Sequence, residues 1–213
     1  MLKVSFGKIK TILCIGAHPD DIEIGCGGTI LKLLLKKKSV AVHWIILSTQ
    51  KNRAPEASQS ADIFLCDAKE KHIVQKGFQD TFLPQNGMEI KKYFNELARN
   101  ISPDIVFTHR LEDRHQDHRL VSELTWNSFR NHLILEYEIP KYEGDLGQPN
   151  VFVHLSRETG EQKINSISNS FPSQRKKHLF TGDTFWAMLR IRGLESNSPS
   201  GFAEGFYCRK MIF

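Results

Sequence analysis

Short apolar runs rich in β-branched residues alternate with longer stretches of helical character along the first two thirds of this chain. That alternation restricts the architecture more than any other feature. Thr11–Ile15 reads as a buried strand, followed by a Gly-rich turn and a helix over Thr29–Lys38. Ala41–Leu47 is a second strand, Ser48–Ala54 a polar loop and Pro55–Cys66 a helix with proline in its first turn. His72–Lys76 is a weaker strand. Gly87–Asn100 carries Ile90, Tyr93, Phe94 and Leu97 at i, i+3, i+4 and i+7, the spacing of one helix face. Asp104–Thr108 is a strand, Gln116–His132 a helix and Ile134–Ile139 a strand. Repeated strand–helix units predict an α/β fold, a Rossmann-like, mainly parallel sheet with helices on both faces. In such a sheet, ligands bind beyond the carboxyl ends of the strands. The turns at Ala17–Gly28, Ser48–Ala54 and His109–His118 are expected along that one edge.

After Lys141 the pattern loosens. Val151–Leu155 and Glu204–Phe213 are expected strands, and Glu158–Phe171 and Thr181–Arg192 helices. No linker or repeat divides the 213 residues. The expectation is therefore a single domain over 1–213, with a Rossmann-like core over 1–140 and a C-terminal α+β portion, 141–213, packed on the substrate side.

Composition excludes several classes. Hydrophobic residues make up 40% and charged residues 25%, enough for a core and too apolar for a disordered chain. Cys14, Cys26, Cys66 and Cys208 have no CxxC spacing, so neither a disulfide framework nor a thiolate zinc site is expected, only four small buried residues in a reducing compartment. No run approaches the roughly 20 apolar residues of a spanning helix, and the N-terminus lacks a signal-peptide plan. A cytoplasmic protein without a membrane span is expected. The net charge of +5 is spread along the chain with no nucleic-acid motif, which argues against nucleic acid as a partner. A homo-oligomer is compatible with the sequence.

Two segments concentrate chemistry. Ala17-His18-Pro19-Asp20-Asp21 follows the first strand and runs into Gly25-Cys26-Gly27-Gly28-Thr29. In a tight turn started by Pro19, His18 and Asp21 can face one point, as two ligands of a divalent ion must, with Asp20 turned toward a water. A cap for the next helix is the alternative role for either aspartate. His109-Arg110-Leu111-Glu112-Asp113-Arg114-His115-Gln116-Asp117-His118-Arg119 follows another strand. His115 and His118, three apart at a helix start, can share a cleft, and Asp117 can orient an imidazole. The alternative is a solvated, charge-alternating helix entrance. Together the segments supply two histidines and one aspartate for a metal, with a further aspartate and histidine to spare. That is a parts list for metal-assisted hydrolysis, in which the ion acidifies water, a carboxylate takes its proton and an imidazolium stabilises the oxyanion. The same donor set also suits non-haem iron.

With AHPDDIEIGCGGT at the first site and HQDHR at the second, the chain resembles the PIG-L/LmbE-like family of metal-dependent N-acetylglucosaminyl deacetylases, over about Lys10–Val121. The resemblance implies Zn2+ held by His18, Asp21 and His118, with Fe2+ an alternative. It implies Asp20 as general base, His115 as the imidazolium that stabilises the tetrahedral adduct, and Asp117 as the carboxylate that orients His115. The family's loop after strand two often carries a sugar-contacting arginine, which implies Arg53 as a substrate-binding residue, with a plain surface arginine the alternative. Asp113 is a candidate substrate or supporting group, with a cap for the helix containing His118 the alternative. The expected reaction removes the N-acetyl group from a small-molecule amino-sugar conjugate. A metal-dependent phosphoester hydrolase and a non-catalytic sugar- or nucleotide-binding module are the alternatives. His43 and His154 are expected in the core, and Trp44, Trp126 and Trp186 as packing residues.

Overall fold

The computed structural model of the chain describes residues 9–37, 39–50 and 52–212. Seven strands form one sheet: β1 (Thr11–Gly16), β2 (Ala41–Ile46), β3 (Glu70–Gln75), β4 (Ile105–His109), β5 (Leu133–Tyr137), β6 (Val151–Leu155) and β7 (Phe202–Tyr207). Their order is β3-β2-β1-β4-β5-β7-β6. The first five run parallel, and the last two join antiparallel. The helices are α1 (Asp21–Lys36), α2 (Ala54–Phe64), α3 (Gly87–Asn100), α4 (Gln116–Ser128), α5 (Arg157–Ser170) and α6 (Gly182–Glu195). Two short 3₁₀ turns, Leu83–Asn86 and Pro172–Gln174, have no periodic signal in the sequence and were not anticipated. The α/β expectation holds.

Alternation along each central strand feeds two cores. Ile12 and Cys14 of β1 join Trp44, Phe107 and residues of α1, α2, α5 and α6 on one face. Leu13 and Ile15 join Ile45, Val106 and residues of α3 and α4 on the other. Chain direction away from β1 reverses between β1 and β4: β1 leads outward to β2 and β3 on one side, while β4 and β5 lie on the other. The carboxyl ends flanking that switch form the crevice where ligands bind in this architecture, and both chemical segments begin there.

The expected Gly-rich turn is instead helix. α1 starts at Asp21, and Gly25, Gly27 and Gly28 lie within it, all buried. They are there because neighbours press on the helix. A Cβ at Gly25 would overlap the Tyr137 ring, one at Gly27 would fall 2.6 Å from Phe64, and one at Gly28 would fall 2.5 Å from Leu155 and 3.0 Å from a Glu204 oxygen. Glu204 accepts from the Gly28 and Thr29 amides at 2.9 and 2.7 Å, and Lys163 donates to Ile24 O at 2.6 Å. This buried ion pair from α5 and β7 grips the middle of α1, so the C-terminal portion fixes the helix that carries Asp21.

Other expectations are corrected. Cys66 is exposed and Cys208 half-buried, because one lies in the turn after α2 and the other follows the last strand; Cys14 and Cys26 are core residues. His43 and His154 are half-buried rather than enclosed. His43 stacks on His72 across β2 and β3, with ring centroids 4.4 Å apart. Trp44 is fully buried, whereas Trp126 and Trp186 are half-buried. β7 ends at Tyr207, and Lys38 and Phe213 lie outside the described residues. No helix among the described residues is long and apolar enough to cross a membrane.

Candidate metal centre

The first segment folds back on itself. The His18 amide donates to Asp21 Oδ2 at 2.7 Å, so a ligand-type ring and a carboxylate three residues apart meet across one turn. Between them Asp20 takes φ of +93°, a left-handed conformation that few non-glycine residues adopt. Aspartate tolerates it better than most, and its side chain makes no capping bond. The alternative reading of Asp20 as a helix cap therefore fails. Its carboxylate turns to Arg53, whose Nη2 lies 2.9 Å from Asp20 Oδ2 and also donates to Pro19 O at 2.8 Å.

The second segment reaches the same point from β4. His115 is the N-cap of α4, its ring Nδ1 accepting from the Asp117 amide at 3.2 Å. His118, one turn on, is buried. Its Nδ1 lies 3.0 Å from Asp113 Oδ2, which leaves Nε2 facing the first segment. His118 Nε2 is 3.3 Å from His18 Nδ1 and 3.6 Å from Asp21 Oδ1, and His18 Nδ1 is 3.4 Å from Asp21 Oδ2. Ligands about 2.0–2.1 Å from a tetrahedral ion stand roughly 3.3–3.4 Å apart. Two imidazole nitrogens and a carboxylate at these separations fit one divalent ion. His18, Asp21 and His118 thus form a group able to hold a metal, a property shared by two overlapping groups, His18–His115–Asp117 and His109–Asp113–His118.

The surroundings set protonation. Burial depresses His118 to about 3, helped by His109 and opposed by Asp21 and Asp113, so its ring is neutral as a ligand requires. Burial works against the Asp21 carboxylate, yet His118, His109 and His18 hold it well below the usual range. Burial also opposes a charge on His18, but contacts with Asp117, Asp21 and Asp80 outweigh it and raise the ring well above its ordinary value. Asp20 is pushed up to about 6, chiefly by burial and in part by Asp21, against the pull of Arg53 and His18. His115 is lowered by burial and by His18, against Asp117.

Three expectations for individual residues change. Asp117 directs its carboxylate to His18 rather than to His115: its Oδ2 is 3.0 Å from His18 Nε2 and accepts from the Thr81 amide at 2.9 Å. Its other oxygen, Oδ1, accepts from the Leu83 amide at 3.2 Å, so both carboxylate oxygens are engaged away from the His115 ring. Arg53 faces inward onto Asp20 because a buried carboxylate needs a counter-charge. Asp113 is 3% exposed and spans His118 Nδ1, the His115 amide at 2.8 Å and Lys141, so it supports the ligands and presents no surface to a substrate.

Two further residues border the centre: Asp80, outside both segments, and His109, the first residue of the second. Asp80, after β3, puts Oδ1 3.0 Å from His18 Nε2. Its neighbour Thr81 has φ of +67°, unfavourable for a β-branched residue, and Gln116 donates to its carbonyl. His109 is fully buried, with Nε2 accepting from the Ala17 amide at 3.0 Å and lying 3.1 Å from Asp21 Oδ2, its ring stacked on His118. His109 was visible as an unassigned histidine at a strand end. Asp80 carried no signal beyond following a strand.

Comparison with known proteins gives the family of the chain. The sequence profile of the PIG-L family, GlcNAc-PI de-N-acetylase, matches residues 13–129. The uncharacterised deacetylase YaiS of Escherichia coli (strain K12) is 30% identical over 149 residues, covering 64% of this chain and 77% of that protein. Diacetylchitobiose deacetylase of Thermococcus kodakarensis is 32% identical over 116 residues, 47% of this chain and 41% of that protein. The crystal structure of GalB, a 4-carboxy-2-hydroxymuconate hydratase from Pseudomonas putida KT2440, superposes with a TM-score of 0.75 over 96% of this chain and 98% of that one, at 16% identity, a likeness of fold alone. The matched profile runs from β1 through α4, the stretch that delivers both halves of the centre, and the chain belongs to the PIG-L family.

Proposed function

We propose that this chain is a divalent-metal-dependent N-deacetylase that hydrolyses the acetamide of an N-acetylglucosamine-type conjugate, releasing acetate and a free amine. The observation that carries the reading is the spacing of His18 Nδ1, Asp21 and His118 Nε2 at 3.3–3.6 Å, with each ring backed by a carboxylate on its other nitrogen. Such carboxylate–histidine pairs are the usual support of metal ligands. Zn2+ is the ion we assign. When bound, it supplies Lewis acidity to water and to the amide carbonyl.

The chain's own groups supply the rest. Asp20, beside the ligands and raised to about 6, is the base that takes the proton of the attacking water. Arg53 holds that carboxylate in place through its 2.9 Å contact. His115 borders the site, with its ring centroid 5.0 Å from that of His18. It donates to the oxyanion of the tetrahedral adduct and passes a proton to the leaving amine. Asp117 orients His18, and Asp113 orients His118.

Protein stripped of metal by a chelator and reloaded with Zn2+ is expected to release acetate from N-acetylglucosamine and N,N'-diacetylchitobiose. Stripped protein is expected to be inactive. Equal activity without metal, or hydrolysis of phosphoesters in place of acetamides, overturns the assignment.

A further inference from the structure

Lys141 lies outside both motifs, four residues past the end of β5. Its ammonium is 2.8 Å from Asp113 Oδ2, 2.9 and 3.0 Å from the two oxygens of Asp145, and 3.0 Å from Ile139 O. The three side chains are 10%, 2% and 6% exposed for Lys141, Asp113 and Asp145. Two buried carboxylates with no cation between them would repel each other strongly. Each carboxylate also holds the second motif. Asp113 takes His118 Nδ1 and the His115 amide, and Asp145 Oδ2 accepts from the Arg114 amide at 2.7 Å. The lysine therefore joins the groups that fix the main chain at Arg114 and His115 and the ring at His118.

We propose that Lys141 is a positioning residue of the metal centre, pinning Asp113 so that His118 Nε2 is aimed at the ion and Asp113 is withheld from serving as a ligand. The inference rests on the metal reading given above. It also leads to the expectation that the His109–Asp113–His118 group holds no second ion, because the carboxylate in that group already carries the ammonium. The competing role is a strap, in which Lys141 merely ties the turn around Asp145 to the sheet. A small depression borders the ammonium, lined also by Arg110, Glu138 and Leu146.

The test compares wild type with Lys141→Met, Lys141→Gln, Lys141→Arg and Asp145→Asn. It measures Zn2+ affinity and stoichiometry by chelator competition, the absorption spectrum of the Co2+ form, and kcat and KM for acetate release. Wild type is expected to hold one ion per chain. Lys141→Met is expected to lose about 10- to 100-fold in Zn2+ affinity, with an altered Co2+ spectrum and a fall in kcat larger than any rise in KM. Lys141→Gln carries the same expectation should the methionine variant not fold. Lys141→Arg restores most of the affinity and the spectrum, and Asp145→Asn, whose amide oxygen still accepts from the Arg114 amide, loses thermal stability with a metal defect smaller than that of Lys141→Met. Unchanged affinity and spectrum in the neutral variants, a metal defect in Asp145→Asn equal to that of Lys141→Met, or two ions per wild-type chain overturns the proposal. A wild type that binds no ion overturns the metal reading itself and this inference with it. One ion bound without acetate release overturns only the acetamide assignment.

Discussion

Asp117 Oδ2 lies 3.0 Å from His18 Nε2, joining residues 99 positions apart. The contact leaves Nδ1 as the nitrogen of His18 that faces Asp21 and His118. Each ring at the centre is thus fixed through one nitrogen by a carboxylate of the second segment, Asp117 for His18 and Asp113 for His118.

Replacing Asp117 by Asn should therefore weaken metal binding rather than remove the proton chemistry. We expect a loss of about 10- to 100-fold in Zn2+ affinity, with activity recovered in large part at saturating Zn2+. Chelator competition and titration of activity against Zn2+ check this. Unchanged affinity would mean that Asp117 does not orient His18.

Asp20→Asn should separate catalysis from stability. Loss of the base is expected to lower kcat by about 10²- to 10⁴-fold with the ion retained. Asp20 shifts upward on folding, from an ordinary 3.8 to about 6, so the folded state holds the proton more tightly than the unfolded one. Stability therefore falls as pH rises between those values, and the cost is fully present above about 6. Asparagine abolishes it, still accepts from Arg53 and tolerates the left-handed backbone. Metal-free Asp20→Asn should be more stable than wild type at pH 8 by up to about 3 kcal/mol, and less so at pH 4. Urea unfolding at the two pH values measures the difference, and a variant destabilised at pH 8 would contradict it.

The rate of the wild-type enzyme should climb with pH as Asp20 ionises, at a pH below the value of about 6 that holds without the ion, because a bound cation favours the carboxylate. Arg53 pulls that value down, so Arg53→Met should move the rising limb to higher pH. An acid limb left in place in the variant would show that Asp20 does not control it.

His115 both caps α4 and borders the reaction centre. His115→Ala should cost about 1 kcal/mol of stability through the lost cap as well as activity. His115→Asn keeps an acceptor for the Asp117 amide, so it should recover the stability and leave kcat low. Melting temperatures and initial rates of the pair distinguish the two roles, and recovery of kcat by asparagine would remove His115 as the proton donor.

Gly25→Ala drives a methyl group into the fully buried Tyr137 ring, whose hydroxyl donates to Ile15 O at 2.7 Å. Overpacking of this kind costs about 1–3 kcal/mol, with more where the backbone cannot move. Thermal unfolding reads the effect, and an unshifted melting temperature would mean that α1 can retreat from β5.

Much of the fold was legible because it rests on local periodicity. The α3 pattern at Ile90, Tyr93, Phe94 and Leu97 predicted the bounds found, Gly87–Asn100. The apolar runs of β1, β2 and β4 predicted the parallel sheet, and the His-Pro-Asp-Asp turn with the His-Gln-Asp-His stretch predicted where ligand-type groups gather. Local pattern misled at Gly25–Gly28. Glycine in sequence signals a turn, whereas here it answers contacts from Tyr137, Phe64, Leu155 and Glu204, none of which is near in the chain.

Sequence by itself determined the strand order's local ingredients and the kinds of side chain delivered to one edge of the sheet, because strand and helix periods and i, i+3 spacings are short-range properties. Only the tertiary structure decided which carboxylate serves which ring. Asp117 backs His18, Asp113 with Lys141 backs His118, Arg53 turns to Asp20, Asp80 joins from the loop after β3, and His109 joins from the end of β4. Most of those pairings join segments far apart in the chain, brought together by the packing of β1 against β4, and even the short-range Asp113–His118 pair depends on the direction in which each side chain leaves its own turn.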